Sequence, residues 1–161
     1  MSNGIRNFEA VGTDAFKIAE ILLSDQEICK LLYYMDADPL SHSDFEDTLF
    51  LLNKNIRVVP KIPDYEEKGS FIIISFDNFY LSNNIEFKVN NIQFDIVCPI
   101  DKWNMNDKML RPFKIMSKID ALFNNKTLSG IGKLTFHSAS SIVLTTELVG
   151  YNLNYTNYNF N

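Results

Sequence analysis

Residues 85–98 alternate apolar and polar side chains more regularly than any other part of the chain, and that alternation limits what the chain can fold into. Ile85, Phe87 and Val89 fall on one side. After Asn90-Asn91, so do Ile92, Phe94, Ile96 and Cys98, with Glu86, Lys88, Gln93 and Asp95 facing the other way. Successive side chains of a strand point to opposite faces, so a period of two buries one face and leaves the other to water or a partner. Asn90-Asn91 reads as a tight turn or a bulge. Pro99 has no N–H to give to a ladder and ends the strand.

Further strands surround this one. Ile56–Val59 opens the β part, and Pro60 and Pro63 begin a polar loop over 61–69 that carries Asp64, Glu66 and Glu67. Ser70–Phe76 is a nearly unbroken apolar run, which implies burial on both faces, against helices or against another subunit. Asn78 and Ser82-Asn83-Asn84 have turn chemistry. Leu134 and Phe136 belong to a short strand. A long one runs from Ile142 to about Tyr155, with a register change near Gly150, and at that length it reaches beyond its own sheet.

Two helical regions frame the strands. Over 13–35, Phe16, Ala19, Leu22 and Leu23 share a face, with Thr13 or Asp14 as cap. Ser24-Asp25 then caps a stretch in which Ile28, Leu31 and Leu32 repeat the pattern, as one bent helix or two. A short helical turn follows over Phe45–Leu52. The second region ends near Phe123, with Leu110, Phe113, Met116, Ile119 and Phe123 on one stripe and Arg111, Lys114, Lys118 and Asp120 away from it. Pro112 suits the first turn, and Asn124-Asn125 ends the helix through a left-handed residue. The expected fold is α+β: an antiparallel or mixed sheet packed against an N-terminal helix and a second amphipathic helix. One domain over 1–161 accounts for the length. Its parts are a helical segment 1–55, a sheet over 56–155 containing the helix of about 107–123, and a flexible tail 156–161.

Composition removes several functions. The net charge is −5 and basic residues are scattered, so the chain lacks the basic stripe that holds nucleic acid or an anionic membrane. The N-terminus has no signal-type apolar core, and no run reaches the ~18 apolar residues of a membrane span. Cys29 and Cys98 read as reduced, packed thiols.

Motifs that carry chemistry are missing too. A calcium loop starting at Asp36 would put Leu40 and Ser41 where an oxygen ligand and Gly are required, so residues 36–47 read as a solvated acidic turn. The two histidines, His42 and His137, have no zinc spacing, and Gly130-Ile-Gly132 precedes a strand instead of opening a helix. His42 beside Asp44 reads as an ordinary exposed pair, and Glu66-Glu67 as a solvated charge run. No catalytic residue, cofactor or metal is expected.

Trp103 and the Tyr/Asn-rich segment from Tyr151 are the most informative polar aromatics. They suit a protein interface, or else a core Trp and a frayed tail. Three further segments carry a resemblance. The first is the alternating strand and its Trp loop, Ile92 to Trp103. The second is the helix opened by Arg111-Pro112 and ending at Ala121-Leu122-Phe123. The third is the Gly130-Ile-Gly-Lys-Leu134 turn with the last strand, Thr145 to Tyr155. Over about Ile56–Tyr155 the chain resembles the tail-terminator, or tail-completion, proteins of long-tailed bacteriophages. The resemblance implies a virion protein, assembled in the host cytoplasm, that forms a homo-oligomeric ring, commonly a hexamer. Such a ring caps the tail tube, halts its polymerisation and meets a head-side connector, with DNA passing through the lumen.

On that reading Trp103, Tyr151, Tyr155, Tyr158 and Phe160 are interface candidates, and Asp64, Glu66 and Glu67 face the lumen or the next ring. An acidic lumen suits DNA in transit because it repels the polyanion. A head–tail stopper is a related alternative. A small-ligand-binding or enzymatic domain, with His42 or His137 in a pocket, is a different one, and an adaptor with no virion role a third.

Overall fold

The computed structural model describes residues 8–64, 66–81 and 88–158, apart from the side chains at 80, 81, 88, 89 and 158. Six strands form one mixed sheet in the order β1-β2-β3-β6-β5-β4: β1 Ile56–Arg57, β2 Phe71–Leu81, β3 Lys88–Pro99, β4 Thr127–Leu128, β5 Gly132–Val143 and β6 Leu148–Tyr158. Only the β1–β2 pairing is parallel. Three helices, α1 Phe8–Leu23, α2 Gln26–Tyr33 and α3 Arg111–Phe123, supply most of the rest of the core, with Leu51, Met105 and Ile131 from the connections. The α+β architecture is the one expected.

The N-terminal region is two helices, because Asp25 starts a new one: its Oδ1 accepts the Ile28 N–H at 3.0 Å. Thr13 and Asp14 are not caps. Helix α1 already runs at Phe8, and Thr13 donates back to the Glu9 carbonyl at 3.2 Å. The buried stripe passes through Ala15, Ile18, Ala19 and Leu22, which turns Phe16 outward. The turn expected near Phe45–Leu52 is a 3-10 turn at Leu49–Leu51. In α3, Pro112 occupies the first turn and Asn125 takes the left-handed conformation after the end, at φ 56°.

The apolar run of β2 is buried on both faces within the single chain. Ile72 and Ile74 enter the helix-covered core, while on the opposite face Phe71 lies under the Arg57 guanidinium, 4.9 Å from the ring centroid. No second subunit is needed to explain that run. Asn78 makes no turn. It takes φ 53° where β2 gains one residue over β3 between Asp77 and Tyr80, so the bulge falls on β2. Asn90 and Asn91 pair in register along β3, and Asn90 Oδ1 accepts the Asn157 side-chain N–H at 3.2 Å. The expected turn at 82–84, together with Ile85 and Phe87, lies outside the described residues.

The single long last strand is corrected to a hairpin. The Thr145 hydroxyl oxygen accepts the N–H groups of Glu147 and Leu148 at 3.1 and 3.0 Å, and the Leu144 N–H donates to the Leu148 carbonyl. These bonds close a turn without Gly, Pro or Asn. Residues up to Val143 therefore form β5, and β6 begins at Leu148. The register shift lies in β5, between Phe136 and Ser138, not at Gly150.

Gly150 instead marks a close approach, since a methyl group there would sit 1.7 Å from the Ile96 carbonyl oxygen on β3. The clash is with backbone in the middle of the sheet. Gly150→Ala should therefore cost about 3 kcal/mol. Urea unfolding checks this: the midpoint should fall with the slope unchanged, and an unchanged midpoint would mean the two strands separate freely.

Candidate assembly surface

Strand β5 forms one margin of the sheet. Its inner side pairs with β6 along its length, but β4 reaches only Gly132 and Lys133 on the outer side. Residues 124–126 extend this cover by a turn: the Asn125 N–H donates to the Leu134 carbonyl, and the Phe136 N–H donates to Asn124 Oδ1 at 2.9 Å. From His137 to Val143, nothing among the described residues pairs with the outer margin. Positions 136–141 are exposed on both faces.

The chemistry of this margin is unusual for an edge. Soluble proteins protect open edges with charges, Pro or short strands. Leu134-Thr-Phe-His-Ser-Ala-Ser-Ser-Ile-Val143 holds no Asp, Glu, Lys, Arg or Pro. One bulge, at His137, is its only such device.

An apolar cleft flanks the margin on the helix side. It measures about 340 Å³ and is lined by Phe113 and Met116 of α3, by Phe136 and Ala139 of β5 and by Leu153, with Ser117, Asp120 and Asn124 as its polar part. Phe113 packs on Tyr151 at 4.8 Å between centroids, and Tyr151 leans on Trp103 at 6.2 Å. Trp103 is partly buried, and its indole N–H donates to the Cys98 carbonyl at 3.3 Å, a bond that fixes the ring. The loop after Pro99 and the start of β6 thus bring Trp103 and Tyr151 together. Phe113 and Phe136, at 39% and 45% exposure, complete the apolar strip. The sequence placed Phe113 in the core and Phe136 on a short strand.

Tyr155 is a core residue, a correction to its expected interface role. It is fully buried, packs edge-on against Phe94 and Phe136, and donates its hydroxyl hydrogen to Asp120 Oδ1 at 2.8 Å. Burial and that carboxylate raise its pKa. It offers no surface to a partner. Phe160 and the Tyr158 side chain lie outside the described residues.

The three acidic candidates divide in the same way. Asp64 and Glu66 are exposed. Glu67 is structural: its Oε1 accepts from Arg57 Nη2 and its Oε2 from the Asp64 N–H, both at 2.6 Å, which ties it to β1 and to Asp64.

His42 is stacked on Tyr34 at 3.7 Å and bonds Asp36 at 2.6 Å, while Asp44, its expected neighbour, pairs with Lys30. That bond holds the Asp36 carboxyl below its ordinary range. His137 is exposed at the β5 bulge. Cys29 and Cys98 are free and buried, and burial pushes both thiols up to about 12. Among the described residues no three His, Cys, Asp or Glu side chains are grouped to hold a metal, and no helix is long and apolar enough to cross a membrane.

Helices on one side of a mixed sheet with an uncovered margin define an α+β domain whose open side is a strand edge and an apolar cleft. The chain belongs to the YomW family, whose model matches residues 25–157 and whose name is phage-associated. No curated protein matches it.

Proposed function

We propose that this chain is a structural subunit of a phage particle that self-associates into a ring. The ring caps the tail tube, stops its polymerisation and joins it to the head-side connector. The observation that carries this reading is the uncharged outer margin of β5 beside its apolar cleft. Such an edge promotes uncontrolled aggregation in a free-standing protein unless a partner strand occupies it. A repeated contact of one margin with a different surface of the next copy closes into a ring when the rotation allows. The phage-associated family agrees with a virion role. The net charge of −5 suits a lumen through which DNA moves without being held.

The test is to image particles made without this gene product. Tails of irregular length, unattached to heads, are expected. Tails of normal length joined to heads would refute the assignment.

A further inference from the structure

The sheet has a second open margin, on β2 at its opposite side. Strand β1 pairs only with Ile72 and Ile73, and nothing among the described residues pairs with the outer margin from Ile74 to Phe79. Main-chain groups along a strand point alternately to one neighbour and the other. Ile72 gives its N–H outward to the Asn55 carbonyl, so Ile74 and Phe76 also face out. On β5 the Leu144 N–H points inward to the Leu148 carbonyl, so Val143, Ser141 and Ala139 face out. The two margins run in opposite directions, because the pairings β2–β3, β3–β6 and β6–β5 that separate them are all antiparallel. A copy set beside another by rotation, helices on the same side, therefore brings β2 against β5 in the antiparallel sense of the rest of the sheet.

The short outer strands fix the offset. Within one chain Ile72 is level with Ser141, and Phe76 with Phe136. Strand β1 thus covers β2 at the level where β5 is open, while β4 and residues 124–126 cover β5 at the level where β2 is open. Neighbouring copies clear both covers when Phe76 slides from the level of Tyr155 on β6 to that of Tyr151, roughly 13 Å at the rise of a strand. Phe76 then lies opposite Ser141, and Ile74 opposite Val143. A sheet that steps in this way closes when its strands tilt, as in a barrel.

Side chains match at that offset. The bulge at Asn78 puts Phe79 on the helix side, edge-on to Phe8 at 5.4 Å, and Phe79 and Phe8 are 38% and 68% exposed. Phe79 falls level with Ala139, which lines the apolar cleft. A chain cannot seat this pair in its own cleft, since the two lie at opposite margins of one sheet. Asp77, the one charged residue of β2, falls on the other face opposite Ser140, and β5 has no acid to repel it. Pairing β5 with β5 would instead leave the β2 margin and its rings in water.

We propose that the surface of the next copy that occupies β5 is the outer margin of β2, with the Phe8–Phe79 pair seated in the cleft. This contact rests on the ring reading and supplies its second surface. Asp77 and Ser140, both exposed, would face each other as a non-hydrogen-bonded pair, where side chains come closest.

Full-length Asp77→Cys and Ser140→Cys chains are oxidised with diamide, separately and mixed. Cys29 and Cys98 are buried, and the parent chain treated alongside reads any linking through them. The mixture should give a covalent pair on a denaturing gel, and neither variant alone should. The chain carrying both substitutions should link into a ladder. Phe79→Ser should weaken self-association at least about tenfold, as loss of an aromatic anchor does, with an unchanged circular dichroism spectrum. Self-linking of Ser140→Cys as complete as that of the mixture overturns the proposal, because β5 then meets β5. Folded Phe79→Ser assembling as tightly as the parent overturns it too. Intact assembly by light scattering with no linking in the mixture also overturns it and leaves the ring reading standing, with its contact elsewhere. A single-chain mass for the parent at every concentration overturns both.

Discussion

Arg111→Ala should destabilise the protein by about 3–5 kcal/mol, because it removes four hydrogen bonds from a charged donor and leaves their acceptors unpaired. Total stabilities of single domains are only ~5–15 kcal/mol. Arg111 is fully buried, and burial lowers its pKa. Its guanidinium donates to four main-chain carbonyls: Nε to Lys102 at 2.9 Å, Nη1 to Leu31 at 2.7 Å and Tyr34 at 2.9 Å, and Nη2 to Asp36 at 2.6 Å. It thereby ties the C-terminal end of α2, where a cation also meets the negative end of the helix dipole, to the loop after β3.

Removing the side chain takes the donor from all four carbonyls and leaves the buried Leu31 carbonyl without one. Arg111→Met fills the volume but restores no donor, so it should be nearly as damaging. Arg111→Lys keeps the charge without the planar fork and should fall between. Thermal unfolding reads the effect as a fall of roughly 10 °C for Ala, from the scaling for chains of this size. A loss under about 1 kcal/mol for both Ala and Met would show that water or backbone movement satisfies the carbonyls.

Ser138→Lys with Ser140→Lys should abolish self-association while leaving the fold intact. Both side chains are exposed, so on a single chain two lysines cost within ~0.5 kcal/mol each. Against an added strand they are severe, because edge lysines are the usual means by which sheets refuse partners. Sedimentation velocity should show the variant at the 18.6 kDa of one chain, with an unchanged circular dichroism spectrum. Association equal to the parent's would place the copy–copy contact elsewhere.

Elements with strong local signals were legible in the sequence. The alternation from Ile92 to Cys98 gave the central strand, and Pro112 with Asn124-Asn125 bounded α3. The Leu144–Glu147 turn was not, because Leu144, Thr145 and Thr146 continue a strand-like pattern and the turn is made by one hydroxyl. The asparagines misled for the opposite reason. Turn formers by habit, Asn90 and Asn157 are joined across two strands, the Asn157 side-chain N–H donating to Asn90 Oδ1.

Of the candidate surface, Trp103 and Tyr151 were readable as loop and strand-end aromatics. The β5 margin was hidden because strand order, which leaves that side open, follows from long-range pairing. Arg111 reads as a solvent-facing charge by helical position. It is buried because it occupies the first position of α3, where its side chain reaches back over the end of α2.

The measurement closest to the central claim is light scattering of the unmodified chain across a concentration series. A mass several times 18.6 kDa, reached at one fixed stoichiometry, is the expected result. A single-chain mass at every concentration, with the β5 margin accessible throughout, would contradict the account.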